Sequence, residues 1–276
     1  MNNGCQKYNG CGADKEGWEI FNTFFYPELQ SKHVRPLAYN ECYRLPFLSL
    51  FHADCMEIMK QYPDKYFDLA IVDPPYGIGI NKGGHTLAGN GNFKGGNFKV
   101  KATKYTGGEW DNEPPKKEYF NEVFRVSKNQ IIWGANHFIH QMPISSSCWV
   151  VWDKDNGESF QADCELAWTS FDTAVRKFSW RWWGLLQQNM SNKQKRIHPT
   201  EKPIQLYEFL IKEYSKPNFK ILDTHFGSGS IALAVDKANR LDKMNLHLTA
   251  CEIDKEYIDK AIKRISESIK QGTLSF

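Results

Sequence analysis

Net charge is in short supply: 35 Lys and Arg against 32 Asp and Glu leave only +3. That is too little to mark a nucleic-acid binder by overall charge, so any basic surface has to be local. No run of apolar residues is long enough to cross a bilayer, and the polar opening "MNNGCQKYNGCG" lacks a signal-peptide core. The expectation is an intracellular protein without a membrane partner. The seven cysteines are odd in number and scattered, which argues for reduced thiols rather than a disulfide framework. Cys5 and Cys11, taken with His33 or Cys42, match none of the usual zinc spacings, so no metal is expected. Internal repeats are absent too. What the sequence does have is aromatic side chains, at 14%, and a length of 276 residues, enough to bury a large core as one big domain.

Residues 1–41 show no clear periodicity and read as an N-terminal extension, with the folded domain spanning 42–276. "RLPFLSLFHAD" reads as a strand ending at Asp54, followed by a short helix over 55–61. "YFDLAIVDPP" is a nearly continuous apolar run, the pattern of a strand buried on both faces of a parallel sheet. From Gly77 to Gly108 the composition turns to glycine and asparagine, with five lysines and no acid, and 77–115 is expected to be a mobile basic loop. "KKEYFNEVFRVS" puts Phe120, Val123 and Phe124 on one helical face. "NQIIWGANHF" reads as another buried strand, and "CWVVWDKDNG" with "DCELAWTSF" as a closing antiparallel pair.

A second irregular stretch is expected over 173–197, again without an acid, containing the cluster "SWRWW" as core or dimer surface. Pro203 suits the first turn of a helix whose Tyr207, Leu210, Ile211 and Tyr214 share a stripe. "FKILDTHFGSGSIALAVDKA" reads strand, tight glycine turn, helix. "LHLTACEID" is a strand ending in an acid, and the last helix carries Tyr257, Ile258, Ala261, Ile262 and Ile265 on one face. Strands alternating with helices imply an α/β fold with a doubly wound, mostly parallel sheet.

The turn "FGSGSIA" satisfies the glycine fingerprint of dinucleotide sites, and Glu252, at the end of the next strand, is placed to hold the hydroxyls of a ribose. An NAD-binding oxidoreductase is therefore one reading. A pyrophosphate prefers a helix N-terminus without a neighbouring anion, however, and Asp223 sits four residues ahead of Gly227. Its carboxylate suits a cationic ligand, which favours S-adenosylmethionine over NAD. The plain alternative is that Asp223 caps the turn.

Asp73 ends an apolar strand at two prolines. Proline cannot donate to a ladder, so the pair ends the strand and stiffens the backbone beyond it, leaving the acid at the strand's C-terminal edge, where open α/β sheets bind ligands. The Asp73 carboxylate and the Pro74 carbonyl can both accept from one exocyclic amino group, drawing its lone pair out of conjugation and making the nitrogen nucleophilic. Tyr76 supplies a flat face for a base.

"DPPYG", "HPTEKP" at 198–203 and "LDTHFGSGS" at 222–230 together resemble the DNA amino-methyltransferases that modify adenine N6 or cytosine N4. The order, tetrapeptide first and glycine turn last, is similar to their permuted beta group, and "HAD", "IIWGANHF" and "CEID" extend the resemblance over about residues 42–270. It implies a Rossmann-like methyltransferase sheet with an antiparallel edge strand and a circularly permuted motif order. It implies that Asp73, Pro74, Pro75 and Tyr76 form the target-base pocket, and that Phe226, Gly227, Ser228, Gly229 and Ser230 cradle S-adenosylmethionine. Asp223 would lie near the methionine end, Glu252 on the ribose, and Asp54 on the adenine amino group. Lys202, His198 and Thr200 would close over the methionine carboxylate. "THF" replaces a more usual proline-containing sequence, and Ser230 stands where threonine is common. Aspartate at position 73 resembles the adenine enzymes, since serine leads the tetrapeptide in many N4-cytosine members.

The implied activity is site-specific methylation of adenine N6 in double-stranded DNA by base flipping and in-line displacement. Alternatives are a cytosine-N4 enzyme, an NAD-binding oxidoreductase and a non-catalytic DNA-binding relative. Lys82, Lys94, Lys99, Lys101 and Lys104 could track phosphates, while 173–197 falls where the group places target recognition. Arg176, Lys177, Lys195 and Arg196 would serve there as further DNA contacts, with Arg181 a candidate for a guanine edge. A homodimer and a cognate restriction endonuclease are the other partners considered, for a cytoplasmic protein of bacterial or phage origin.

Overall fold

The apolar run "FDLAIV" forms the strand on which the sheet is centred, because side chains that alternate along a strand can feed a core on each face. A computed structural model describes residues 41–79, 111, 113–142, 145–157, 162–183, 186–191 and 193–273. Eleven strands are found among them: β1 (Glu41–Leu45), β2 (Leu48–His52), β3 (Phe67–Val72), β4 (Ser127–Trp133), β5 (Trp149–Asp153), β6 (Cys164–Thr169), β7 (Arg176–Ser179), β8 (Trp182–Trp183), β9 (Leu186–Gln187), β10 (Lys220–Asp223) and β11 (His247–Glu252). Five α-helices accompany them: α1 (Cys55–Met59), α2 (Lys117–Val126), α3 (Ile204–Tyr214), α4 (Ser230–Asp242) and α5 (Lys255–Thr273).

Nine strands make one sheet in the order β1-β2-β11-β10-β3-β4-β6-β5-β7. The run from β2 to β4 is parallel throughout. Leu69 and Ile71 of β3 face a core shared with α3, α4 and α5, while Phe67, Ala70 and Val72 face a second core filled by Tyr119, Phe120, Val123 and Val126 of α2. The sheet is therefore wound on both sides, as the sequence pattern predicts. Burying a side chain such as Phe120 or Val123 contributes about 1.5–3 kcal/mol each, so two full cores fix the sheet that carries the site. Asp68 ties three strands at their entry, accepting from Lys128 Nζ at 2.7 Å and from the Lys220 N–H at 2.9 Å.

β10 continues through α4 toward β11 on one side, and β3 continues through α2 toward β4 on the other. The crevice between the carboxyl ends of β3 and β10 is thus a topological switch point, the usual place for a ligand in an open α/β sheet.

Several expectations need correction. "RLPFLSLFHAD" is not one strand but a hairpin, β1 and β2 turning at Pro46 and Phe47, and β1 begins at Glu41, inside the span assigned to the extension. The expected antiparallel edge strand and closing pair are present, β1 pairing antiparallel with β2 and β6 with β5 and β4, while β7 adds a far edge parallel to β5. The stretch 173–197 is not irregular throughout, since it opens with β7 and includes the β8–β9 pair. Trp182 in "SWRWW" is core, 6% exposed, with its indole N–H donating to the Glu201 carbonyl at 2.8 Å. Pro203 sits one position before the first helical residue, at the cap of α3. Nearly all of residues 1–41 and most of the loop assigned to 77–115 lie outside the described residues.

Candidate active site

β3 delivers Asp73 to the edge of the sheet, and the buried Pro74 ends the ladder there. Asp73 Oδ1 accepts the Tyr76 hydroxyl at 2.8 Å, and Oδ2 accepts Lys202 Nζ at 2.5 Å. Lys202, from the segment that leads into α3, has a side chain only 2% exposed. Its other N–H bonds reach Glu165 Oε2 at 3.1 Å and the Tyr76 hydroxyl oxygen at 3.2 Å. Glu165 comes from β6, and its Oε1 accepts from Lys154, just past β5, at 2.7 Å. Two carboxylates and two ammonium groups thus form one cluster at the strand tip.

Pairing decides the charge state of this cluster. Burial pulls the Glu165 carboxyl upward, but Lys202 and Lys154 overcome it and hold the group at about 2. Burial lifts Asp73 above the ordinary carboxylate range, with Lys202 opposing and Glu165 assisting. Burial disfavours charge on Lys202, yet Asp73 and Glu165 raise its pKa above the usual lysine value. Tyr76 is pushed well upward by burial and by both carboxylates, so its hydroxyl keeps its proton and donates.

The Tyr76 ring is seated by residues far away in the chain. Gly134, just past β4 at φ +70°, lies so close that a Cβ there would stand 2.1 Å from Tyr76 Cε1. Glycine alone satisfies both the backbone and the ring. The His137 imidazole stacks on Tyr76 at 5.0 Å between centroids and 16° between planes. Asp111 holds the backbone: its Oδ1 accepts the N–H groups of Tyr76 and Gly77, each at 2.9 Å.

Across the crevice, Asp223 ends β10 and is 2% exposed. Burial, with Asp73 and Glu252 adding to it, pushes its carboxyl to about 8, so in the free protein it is largely protonated at neutral pH. The following turn places Gly229 at φ +71° before α4, with the Phe226 ring close beneath it. Glu252 braces the turn, accepting from the Gly227 N–H at 2.8 Å and from Ile253 and Asp254 N–H groups at 2.9 Å. Ser228 and Ser230 are buried within the turn and share a 3.0 Å hydrogen bond. Arg264 of α5 clamps it, donating to the Ser228 carbonyl at 3.2 Å while pairing with buried Glu201 at 3.0 Å. That clamp ties the "HPTEKP" segment to the glycine turn. The His198 ring packs tilted against Tyr257 at 4.2 Å between centroids, shares a 3.0 Å hydrogen bond with Thr200, and is driven down to about 3 by burial and nearby cations.

An open cleft of about 580 Å³ lies beside the crevice, lined by Cys55, Met56, Pro75, Tyr119 and His225 among others. Asp54 stands at its margin as the cap of α1, accepting the Met56 N–H at 2.8 Å. Thr224 and His225, where the sequence departs from the family pattern, form a chain with Tyr119: its hydroxyl and Thr224 Oγ1 lie 2.6 Å apart, and Thr224 Oγ1 and His225 Nδ1 2.9 Å.

The structure brings Asp73 and Tyr76 together with Lys202, and gathers Asp223, Phe226, Gly227, Ser228, Gly229, Ser230 and Glu252 around one turn. It places Lys202 between two carboxylates of the cluster. Of the expected DNA contacts, Lys82, Lys94, Lys99, Lys101 and Lys104 lie outside the described residues. Arg176, Lys177 and Lys195 are exposed, and Arg196 is half-buried. Lys177 pairs with Asp153 at 3.0 Å, and Arg181 pairs with Asp155. Sequence reasoning missed Glu165, Lys154, Asp111, Gly134, His137 and Arg264. Two of these left a trace: Glu165 is an acid inside the otherwise apolar "ELAW", and Asp111 closely follows a long acid-free stretch.

A family model described as DNA methylase matches residues 151–263, which span Glu165, the "HPTEKP" segment, the glycine turn and Glu252. Over that stretch the chain is similar to the DNA methylases. It is 26% identical over 263 residues to the Type II methyltransferase M.HinfI of Haemophilus influenzae, covering 79% of this chain and 68% of that protein. It is 24% identical over 257 residues to the Type II methyltransferase M.HpaI of Haemophilus parainfluenzae, covering 78% and 73%. Among solved structures, the PvuII DNA methyltransferase (cytosine-N4-specific) superposes with a TM-score of 0.49 at 13% identity, over 86% of this chain and 97% of that one. The M1.HpyAVI complex with SAM gives 0.44 at 20% identity, over 79% and 99%.

Proposed function

We propose that this chain methylates the exocyclic amine of a base in double-stranded DNA, adenine N6 in the first instance, with S-adenosylmethionine as donor. The observation that carries the reading is the pairing of Asp73-Pro74-Pro75-Tyr76 with the Asp223 glycine turn across one switch-point crevice. The family match and the Type II methyltransferase relatives support DNA as the substrate. The adenine assignment rests on aspartate at position 73, and cytosine N4 is the alternative.

The residues present fit the donor. Asp223 is a buried carboxyl at the head of a turn, Phe226 to Ser230, that contains no cationic residue, the chemistry wanted by an ammonium or sulfonium group. The partly exposed Glu252 suits ribose hydroxyls, and the adjoining cleft, between Pro75, Tyr119 and Met56, suits a flat ring. When bound, S-adenosylmethionine supplies an electrophilic methyl group.

The chain does the rest by positioning. A base in a duplex has to leave the stack, at a cost of a few kcal/mol, and the Tyr76 face offsets part of it. Asp73 and the Pro74 carbonyl accept the amine N–H bonds, which turns the nitrogen lone pair outward and raises its nucleophilicity. Orienting that nitrogen toward a bound donor would supply much of the acceleration. Asp111, Gly134 and Lys202 keep Tyr76 and Asp73 in place, and no side chain forms a covalent intermediate. The decisive experiment incubates unmethylated DNA with the protein and S-adenosylmethionine labelled in its methyl group, then digests to nucleosides. Label in N6-methyladenine is expected. Label in N4-methylcytosine would overturn the adenine assignment, and none in either nucleoside would overturn the activity.

A further inference from the structure

Both oxygens of Asp73 are engaged before any amine arrives, Oδ1 by the Tyr76 hydroxyl at 2.8 Å and Oδ2 by Lys202 at 2.5 Å. A carboxylate neutralised by an ammonium group at that distance is a weaker acceptor for a neutral amine. The same two donors have a second acceptor within reach. Glu165 Oε2 lies 3.3 Å from the Tyr76 hydroxyl and 3.1 Å from Lys202 Nζ. Shifts of a few tenths of an ångström therefore move both donors from one carboxylate to the other. Glu165 is fixed for that task, since Lys154, just past β5, holds its far oxygen at 2.7 Å.

We propose that Glu165 is a positioning residue that takes over the Lys202 ammonium and the Tyr76 hydroxyl when the Asp73 carboxylate turns to an amine. The inference rests on the amine-methylation reading and adds to it the device that frees Asp73. No proton moves in the exchange: Lys202 stays charged, Tyr76 keeps its proton, and two hydrogen bonds change acceptor. Lys202 stands 5.3 Å from the centre of the Trp133 ring, which gives the charge a favourable surface while it shifts. Among the described residues, the charged and titratable groups that face Asp73 and Glu165 include Lys202, Lys154, Tyr76, Tyr119 and Tyr207, with Asp223 contributing across the crevice.

The test is single-turnover methyl transfer with the full chain, Glu165→Gln and Lys154→Gln, measured across pH beside cofactor affinity. Glu165→Gln is expected to lower the transfer rate about 10²-fold, the scale for a misplaced reacting group, with cofactor affinity unchanged. Its acid limb moves to lower pH, because a negative neighbour of Asp73 has been removed. Lys154→Gln lowers the rate as well and moves the limb to higher pH, because the cluster has lost a positive charge. A merely structural defect would not split the sign of the two shifts. Wild-type rates in both variants would overturn the inference, as would lowered rates with both limbs unmoved. If Glu165→Gln does not fold, Lys154→Gln decides the matter alone by the same two readings. Absence of transfer to any amine by the wild-type protein would refute the underlying reading instead.

Discussion

Binding of a cationic ligand at Asp223 should release a proton. The carboxyl is 2% exposed and sits at about 8 in the free protein, raised by burial and by its acidic neighbours Asp73 and Glu252. At pH 7 such a group is about 90% protonated, so a ligand that needs the carboxylate displaces close to one proton. Affinity should then climb about tenfold per pH unit in the acidic range, roughly thirtyfold from pH 5.5 to pH 7. That window stays below the range where the α-amino group of S-adenosylmethionine itself titrates, at about 7.7–8.0. It also avoids the nearby imidazoles, because burial holds His198 at about 3 and His225 at about 4, and both are neutral throughout. Isothermal calorimetry in buffers of different ionisation enthalpy reads the proton directly. The Asp223→Asn variant should bind more weakly at pH 7 and lose most of the pH dependence. A wild-type affinity that is flat from pH 5.5 to 7, or a slope that survives in the variant, would refute the assignment of Asp223 to the cationic end of the ligand.

The same carboxyl predicts a stability effect of definite sign: its folded pKa lies above the unfolded value, so its stabilisation is full below about pH 4 and lost as pH rises through about 8. Asp223→Asn should therefore raise the Tm of the ligand-free protein at pH 8 relative to wild type and leave it nearly unchanged at pH 4, as thermal unfolding would show. Gly134→Ala puts a methyl 2.1 Å from Tyr76 Cε1 at φ +70°. The backbone alone costs about 1–2 kcal/mol, and displacement of the ring should abolish transfer while leaving cofactor affinity intact. Arg264→Gln leaves the fully buried Glu201 carboxylate without its ion-pair partner, and loss of about 3 kcal/mol or more in urea unfolding is expected. Asp73→Asn should retain cofactor binding in calorimetry and lose methyl transfer in the nucleoside assay.

The parts legible in the sequence are those where neighbours along the chain act together. The strand "DLAIV" stopping at two prolines, the glycines after Asp223 and the apolar stripe of the last helix each carry their own local reason. The hairpin of β1 and β2 was hidden because Pro46 and Phe47 turn the chain without a glycine or asparagine, leaving an apolar run that reads as one strand. β7 was hidden for the opposite reason: Arg176, Lys177 and Ser179 are exposed on an edge strand, so no alternation marks them. Glu165 and Asp111 escaped because their roles exist only after folding. Glu165 meets Tyr76 from 89 residues away and Asp111 from 35, and a carboxylate read in isolation is most simply a solvated surface group.

Stability does not account for the cluster at the strand tip. Burying two carboxylates and two ammonium groups forfeits their hydration, and replacing such ion pairs with packed apolar side chains is often neutral or stabilising by about 1–4 kcal/mol. Apolar neighbours are abundant here: Trp133, Ile131 and Tyr207 pack within the same core. The fold could have closed over Asp73 with hydrocarbon, yet that would leave a single carboxyl whose burial drives it to take up a proton, and a neutral acid is a poor acceptor for an amine. Lys202 opposes that uptake of a proton by Asp73, and Glu165, itself paired with Lys154, offers Lys202 a second acceptor. The four charges solve an electrostatic problem that arises only if the carboxylate at the end of β3 must be both sheltered from water and available to a substrate.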